Sequence, residues 1–174
     1  MAAPGNDRIE INGGDDFGGL ASGAGGDDVL ICLGGDEGCL LDGGEGSDRL
    51  STQSHTSTIF KGGPGKDTHT GGAESSDSFR FAKGDTVSGA NRDTIAGFQK
   101  GQDEIDLSAV DANSNQSGNQ VFTFVASTNN TDIGQVSYFK SGTSTIVVAD
   151  TGAVTFQIEL KNFDQPLEAP DFSL

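Results

Sequence analysis

Residues 62–70 read GGPGKDTHT and residues 43–51 read GGEGSDRLS. Both fit a nine-residue pattern, GGxGxDxUx, in which U is a large, usually apolar side chain. The first six residues must turn tightly with carbonyls aimed inward. That needs positive φ at several places, so glycine recurs. The last three form a short strand whose alternation buries U between two sheets. Two nonapeptides complete one coil, so turns on the same side of the coil recur about every 18 residues. The expected architecture is a parallel β-roll.

Working outward, steps of nine give GGDEGCLLD at 34–42 and GGDDVLICL at 25–33. The alternative frame SGAGGDDVL at 22–30 fits better and places Asp27 at the sixth position, with the strand register left open. GGDDFGGLA at 13–21 and the half-copy PGNDRIEI at 4–11 are weaker. Downstream, TQSHTSTIF at 52–60 keeps Ile59 but loses the glycines and the aspartate, and Lys61 is one extra residue before the copy at 62. GGAESSDSF at 71–79 carries an insertion that displaces Asp77.

Closely spaced carboxylates repel one another unless a cation lies between them. A hard cation takes six to eight oxygens, which stacked turns can supply from carbonyls and aspartates, so Ca2+ is the expected cofactor, as several ions. The candidate ligands are Gly23, Gly25 and Asp27, then Gly44, Gly46 and Asp48, then Gly63, Gly65 and Asp67, with Asp7 upstream and Asp77 downstream. Register separates them. One side of the coil stacks Asp7, Asp27, Asp48 and Asp67, and the other stacks Asp16, Asp36 and Asp77, interrupted by the carboxylate-free TQSHTS turn. Calcium is expected on the first side, most securely between the Asp48 and Asp67 turns. One buried side chain per nine residues does not offset the entropy of ordering so glycine-rich a chain, so metal binding is expected to be part of the folding free energy.

Composition divides the chain. Of the 27 glycines, 21 precede residue 90, while seven of the 11 phenylalanines follow it. The segments VFTFVA (121–126), QVSYFK (135–140), STIVVA (144–149) and VTFQIEL (154–160) alternate with period two. Such half-buried strands predict a small antiparallel sandwich that caps the roll. The fold class is therefore all-β: residues 1–82 as the roll and 83–174 as a capping antiparallel β-sandwich.

The net charge of −16 argues against nucleic acid and anionic membranes. No 18-residue apolar run suggests membrane insertion, and the segment MAAPGNDRIEI has neither the basic nor the apolar region of a signal peptide. HExxH and GxSxG are absent, so no enzyme activity is expected. His55 and His69 form no site by spacing. Cys32 and Cys39 are expected as free thiols, with a disulfide as the alternative. A monomer is expected.

The nonapeptide resembles the calcium-binding repeat of RTX proteins. Together with it, DTIAGFQKGQDEIDLSAV (93–110), VTFQIELKNFDQPLEAPDFSL (154–174) and GGAESSDSFRF (71–81) resemble the C-terminal domain of serralysin-type metalloproteases. Similar segments occur in other type I-secreted RTX proteins, including alginate epimerase R-modules. The resemblance implies a calcium-loaded roll, a sandwich, a C-terminal secretion signal and an extracellular protein exported by a type I secretion apparatus. It also implies a further calcium site at Asp93, Asp103 and Asp106. Asp171-Phe172-Ser173-Leu174 resemble the export terminus, with Ser173 interrupting the apolar run. The zinc-protease domain is absent, and Gly38 and Cys39 stand where an apolar residue and an aspartate are expected. An R-module likeness makes an anionic polysaccharide a second expected partner, with Arg49, Lys61, Lys66, Arg80, Lys83 and Arg92 as candidate contacts.

Overall fold

A computed structural model describes residues 4–13, 18–125 and 131–174. Ten strands wind the coil: β1 Arg8–Ile11, β2 Gly19–Ser22, β3 Val29–Cys32, β4 Cys39–Asp42, β5 Arg49–Thr52, β6 Thr58–Lys61, β7 Thr68–Thr70, β8 Ser78–Ala82, β9 Asp93–Ala96 and β10 Glu104–Ala109. Odd-numbered strands pair in parallel as one sheet and even-numbered strands as a second. The chain thus crosses from sheet to sheet at every turn, as the nonapeptide period requires. The expected division at residue 82 falls between β8 and β9, and the parallel pairing runs across it: β7 pairs with β9, and β8 with β10.

The remaining strands are β11 Thr123–Phe124, β12 Gln135–Ser141, β13 Ser144–Asp150, β14 Thr155–Lys161 and β15 Phe172–Ser173. β12, β13 and β14 form the expected antiparallel meander. The cap is built by extending the roll's own sheets. β14 pairs in parallel with β9, giving a nine-stranded sheet, and β15 pairs in parallel with β10, giving a six-stranded one. Phe156, Ile158 and Leu160 face inward as the alternation predicts, but Val154 lies outside the strand and is 58% exposed.

Strand register lines the interior with two facing rows. One sheet contributes Ile9, Leu30, Leu50, His69, Ile95 and Leu160. The other contributes Ala21, Leu41, Phe60, Phe79, Ile105 and Phe172. His69 therefore occupies the U position of the best-matching repeat. It is fully buried, its ring within 6.0 Å of those of Phe60, Phe79 and Phe81. Neither ring nitrogen has a hydrogen-bond partner among the described residues, and burial pushes its pKa down to about 4, so the imidazole is neutral.

Unpaired buried nitrogens are costly. His69→Leu, which restores an apolar side chain of similar size, should stabilise the protein by about 1–2 kcal/mol. Denaturant unfolding at fixed calcium measures this, and a lower midpoint in the variant would contradict it.

Cys32 and Cys39 are not free thiols. They form a disulfide with Cα atoms 6.2 Å apart. A separation of seven residues says nothing by itself. The coil turns that separation into proximity, because Cys32 ends a strand of one sheet and Cys39 begins the next strand of the other.

Candidate metal centre

Turns 23–28, 43–48 and 62–67 stack on one side of the roll. Their second residues, Ala24, Gly44 and Gly63, have φ of 78°, 97° and 92°, and their fourth, Gly26, Gly46 and Gly65, have φ of 113°, 137° and 157°. Backbone bonds tie turn to turn: the Glu45 N–H donates to the Ala24 carbonyl at 3.1 Å and the Gly46 N–H to the Pro64 carbonyl at 3.0 Å.

The conformations settle the register. The first copy is GAGGDD at 23–28, with Ala24 in a glycine place, so its sixth residue is Asp28 and not Asp27. Asp27 is exposed in the fifth place, where its Oδ1 accepts from the Ser47 N–H at 2.8 Å. By the same register Gly25 is a third-position residue, pairing across to Glu45.

The sixth-position aspartates form a continuous ladder. Backbone N–H groups of Asp7, Asp28, Asp48 and Asp67 donate to Oδ1 of Asp28, Asp48, Asp67 and Asp93, each at 2.7–2.8 Å. The Asp93 N–H ends the row on the Thr86 Oγ1 at 3.1 Å. Asp28, Asp48, Asp67 and Asp93 thus each spend one oxygen on the neighbouring turn. The second oxygen, Oδ2, is buried and without a hydrogen-bond partner among the described residues in all five aspartates.

Those oxygens point at the first glycine of each turn. A Cβ at Gly23, Gly43 or Gly62 would lie well inside van der Waals contact with Oδ2 of Asp28, Asp48 or Asp67 respectively. At Gly23 the same Cβ would sit 2.5 Å from the Gly43 carbonyl oxygen, and at Gly43 it would sit 2.7 Å from that of Gly62. At Gly23 and Gly43 a carboxylate oxygen and a carbonyl of the next turn therefore converge against the glycine, an approach that only a residue without a side chain permits. Among the described residues no three His, Cys, Asp or Glu side chains converge. A cation here would draw most of its donors from backbone carbonyls, which suits a hard ion. The residues missed from sequence are Asp28 and the first glycines Gly43 and Gly62. Their signal was the spacing of 21, 20 and 19 residues along Asp7, Asp28, Asp48 and Asp67.

Burial raises the carboxyl pKa values from 3.8 to about 6 at Asp48, about 8 at Asp67 and about 7 at Asp93, with repulsion from neighbouring aspartates adding to it. The folded, calcium-free roll therefore holds these protons more tightly than the unfolded chain. Their stabilising contribution is complete below 3.8 and is lost as pH rises through about 6 to 8. In chelator the β signal should therefore be greatest near pH 5 and lost by pH 8.5 as these carboxylates ionise, whereas saturating calcium should remove that loss because metal displaces the protons. Circular dichroism at a series of pH values tests this, and a β signal that rises with pH in chelator would contradict it.

The opposite side differs in chemistry. Register places Gly19, Cys39 and Thr58 in its first rungs and Asp77 and Asp103 in its last. Asp77 Oδ1 accepts from the Thr58 N–H, and its Oδ2 accepts from the Gly72 N–H at 2.8 Å and the Ser75 hydroxyl at 3.1 Å. Asp103 Oδ1 accepts from the Asp77 N–H and its Oδ2 from the Gln99 N–H. Both carboxylates thus have each oxygen hydrogen-bonded, Oδ1 to the preceding turn and Oδ2 within their own. The TQSHTS turn closes on hydroxyls: the Ser54 N–H donates to Thr52 Oγ1, and the Thr56 N–H to Ser54 Oγ. Asp36 is exposed and off the rung, and Asp16 lies outside the described residues.

Asp93, Asp103 and Asp106 are not brought together. Asp93 ends the first ladder, Asp103 belongs to the opposite side, and Asp106, in β10, pairs with Arg80 at 3.2 Å. Of the candidate cations, Lys61 and Arg80 are register partners on β6 and β8 and line one cleft with Asp42, Asp85 and Asp106, while Arg92, Lys66 and Arg49 lie apart. Arg92 engages Glu159, Lys66 donates to the Ala90 carbonyl, and Arg49 is exposed on β5. Asp171 and Phe172, in the expected export terminus, are buried. Asp171 accepts from the backbone N–H groups of Gly101 and Glu168, and Phe172 pairs with Ile105 as part of β15.

A family model described as the C terminal of peptidase M10 serralysin matches residues 19–172. No curated protein matches the chain. Among solved structures, the AlgE6R2 subunit of the Azotobacter vinelandii mannuronan C5-epimerase is 24% identical, with 98% of this chain and 91% of that one covered and a TM-score of 0.48. The AlgE6R3 subunit from the same organism is 22% identical, with 92% and 73% covered and a TM-score of 0.32.

Proposed function

Because the chain belongs to the serralysin C-terminal family of the M10 peptidases, we propose that it is a calcium-binding RTX domain of a secreted protein, non-catalytic in itself, that folds on extracellular calcium and accompanies export through a type I apparatus. The observation that carries this reading is the row of five buried Oδ2 atoms, each without a partner among the described residues, on one side of the roll. Asp28, Asp48 and Asp67, with the carbonyls of Gly43 and Gly62, are the residues that would hold the ions. Bound calcium supplies the positive charge that lets adjacent ladder carboxylates ionise together.

The chain's own residues do the rest. Each Oδ1 fixes the N–H of the neighbouring turn, so loading one site orders the next turn. The glycines let turns approach closely, and they also hold the chain disordered when the carboxylates are left facing one another. Calcium-poor cytosol then favours the unfolded, transportable chain, and millimolar calcium outside favours the roll.

Far-ultraviolet circular dichroism during a calcium titration of the apo protein tests this. The expected result is a cooperative rise of β signal from a largely disordered spectrum. A full β spectrum in excess chelator, unchanged by calcium, would sink the reading.

A further inference from the structure

The disulfide lies where the metal chemistry is missing. Cys39 is the sixth residue of the 34–42 copy, the place held by Asp28, Asp48 and Asp67 on the other side of the coil. Register sets it opposite Gly19 and Thr58, in the row that Asp77 and Asp103 complete. Turn 33–38 has its acids, Asp36 and Glu37, exposed and off the rung. It also lacks the serines and threonines that close the turn after it. Its closure is the bond from Cys39 back to Cys32, between two buried side chains.

We propose that the Cys32–Cys39 disulfide stands in for a calcium site on the carboxylate-poor side, so that closure of the early coils answers to oxidation as the opposite ladder answers to calcium. Forming the bond removes two electrons and two protons from the two thiols. They pass to a disulfide oxidant, such as oxidised glutathione, which leaves as two thiols. In reducing cytosol the pair stays open and this turn has no covalent closure. In an oxidising exterior it closes, independently of the metal. The chain then carries two separate signals of its compartment, one ionic on one side of the coil and one covalent on the other.

The first measurement is alkylation, in denaturant, of protein prepared under oxidising conditions, read by mass. No adducts are expected without reductant, and two after reduction in the unfolded state. The second compares protein reduced before refolding with oxidised protein. A bridge closing so short a loop is worth on the order of 10- to 100-fold in the folding equilibrium. Reduction should therefore lower the thermal midpoint and raise the calcium midpoint by about two- to threefold. A Cys32→Ser, Cys39→Ser double variant should match the reduced protein and ignore reductant. Two adducts on the unfolded, unreduced protein, or midpoints unmoved by opening the bridge, would overturn the proposal. Only the calcium-midpoint arm rests on the calcium reading. Adduct counts and thermal midpoints fail or succeed without it.

Discussion

Gly46→Ala should destabilise the roll by on the order of 4 kcal/mol and leave no calcium concentration at which the protein regains its full melting temperature. Two penalties add at this position. The residue has φ of 137°, outside the range side-chain-bearing residues adopt, and a Cβ would collide with the Gly26 carbonyl oxygen of the stacked turn. The obstacle is backbone on both sides, so no rotamer relieves it. Gly142→Ala is the control. Its φ is 61° and nothing lies within 4 Å of its Cβ, so it carries the conformational cost alone, about 1 kcal/mol. Equal losses in the two variants, measured by thermal unfolding in saturating calcium, would mean the turns are not stacked as closely as described.

Asp67→Asn should act in opposite directions with and without calcium. Asparagine keeps the Oδ1 that accepts the Asp48 N–H and removes the charge that burial penalises. In chelator at neutral pH the variant should be more stable than the parent, by on the order of 3 kcal/mol. In calcium it loses a charged donor, and the calcium midpoint should rise by on the order of tenfold. Asp77→Asn on the other side gives the contrast. Both its oxygens already accept hydrogen bonds from the protein, so the variant should be weaker with or without calcium. The folded fraction in chelator, read by circular dichroism, and melts in calcium decide it. If Asp67→Asn is destabilised in both, the carboxylate is a structural hydrogen-bond acceptor rather than a metal ligand.

The roll was legible because its demands fall on residue types with no substitutes. Positive φ and close approach at Gly44, Gly46, Gly63 and Gly65 select glycine, and a buried rung that must accept an N–H selects aspartate. Reading slipped by one residue at Ala24, which adopts a glycine conformation and hides the true frame, so Asp27 stood in for Asp28. On the opposite side, Cys39 and Thr58 fill rungs without resembling aspartate, and only strand register shows that they do. The disulfide could be named only as an alternative for the same reason. Alternation located β12, β13 and β14, but nothing local signals that β14 pairs with β9, more than 60 residues earlier.

That pairing makes the cap a template as well as a lid. A parallel coil must bring distant strands together before any contact rewards the loss of entropy, whereas the β12–β13–β14 meander is local and can form first. Its edge strand β14 then offers a ready row of backbone groups to β9, and each finished coil offers the same to the one before it. Stability should therefore grade along the axis like that of a linear array, with amide hydrogen exchange slowest in β13, β14 and β9 and progressively faster through β7, β5 and β3 to β1. Irregular copies such as the half-repeat at 4–11 then lie far from that template, where an imperfect coil can loosen without unzipping those nearer the cap.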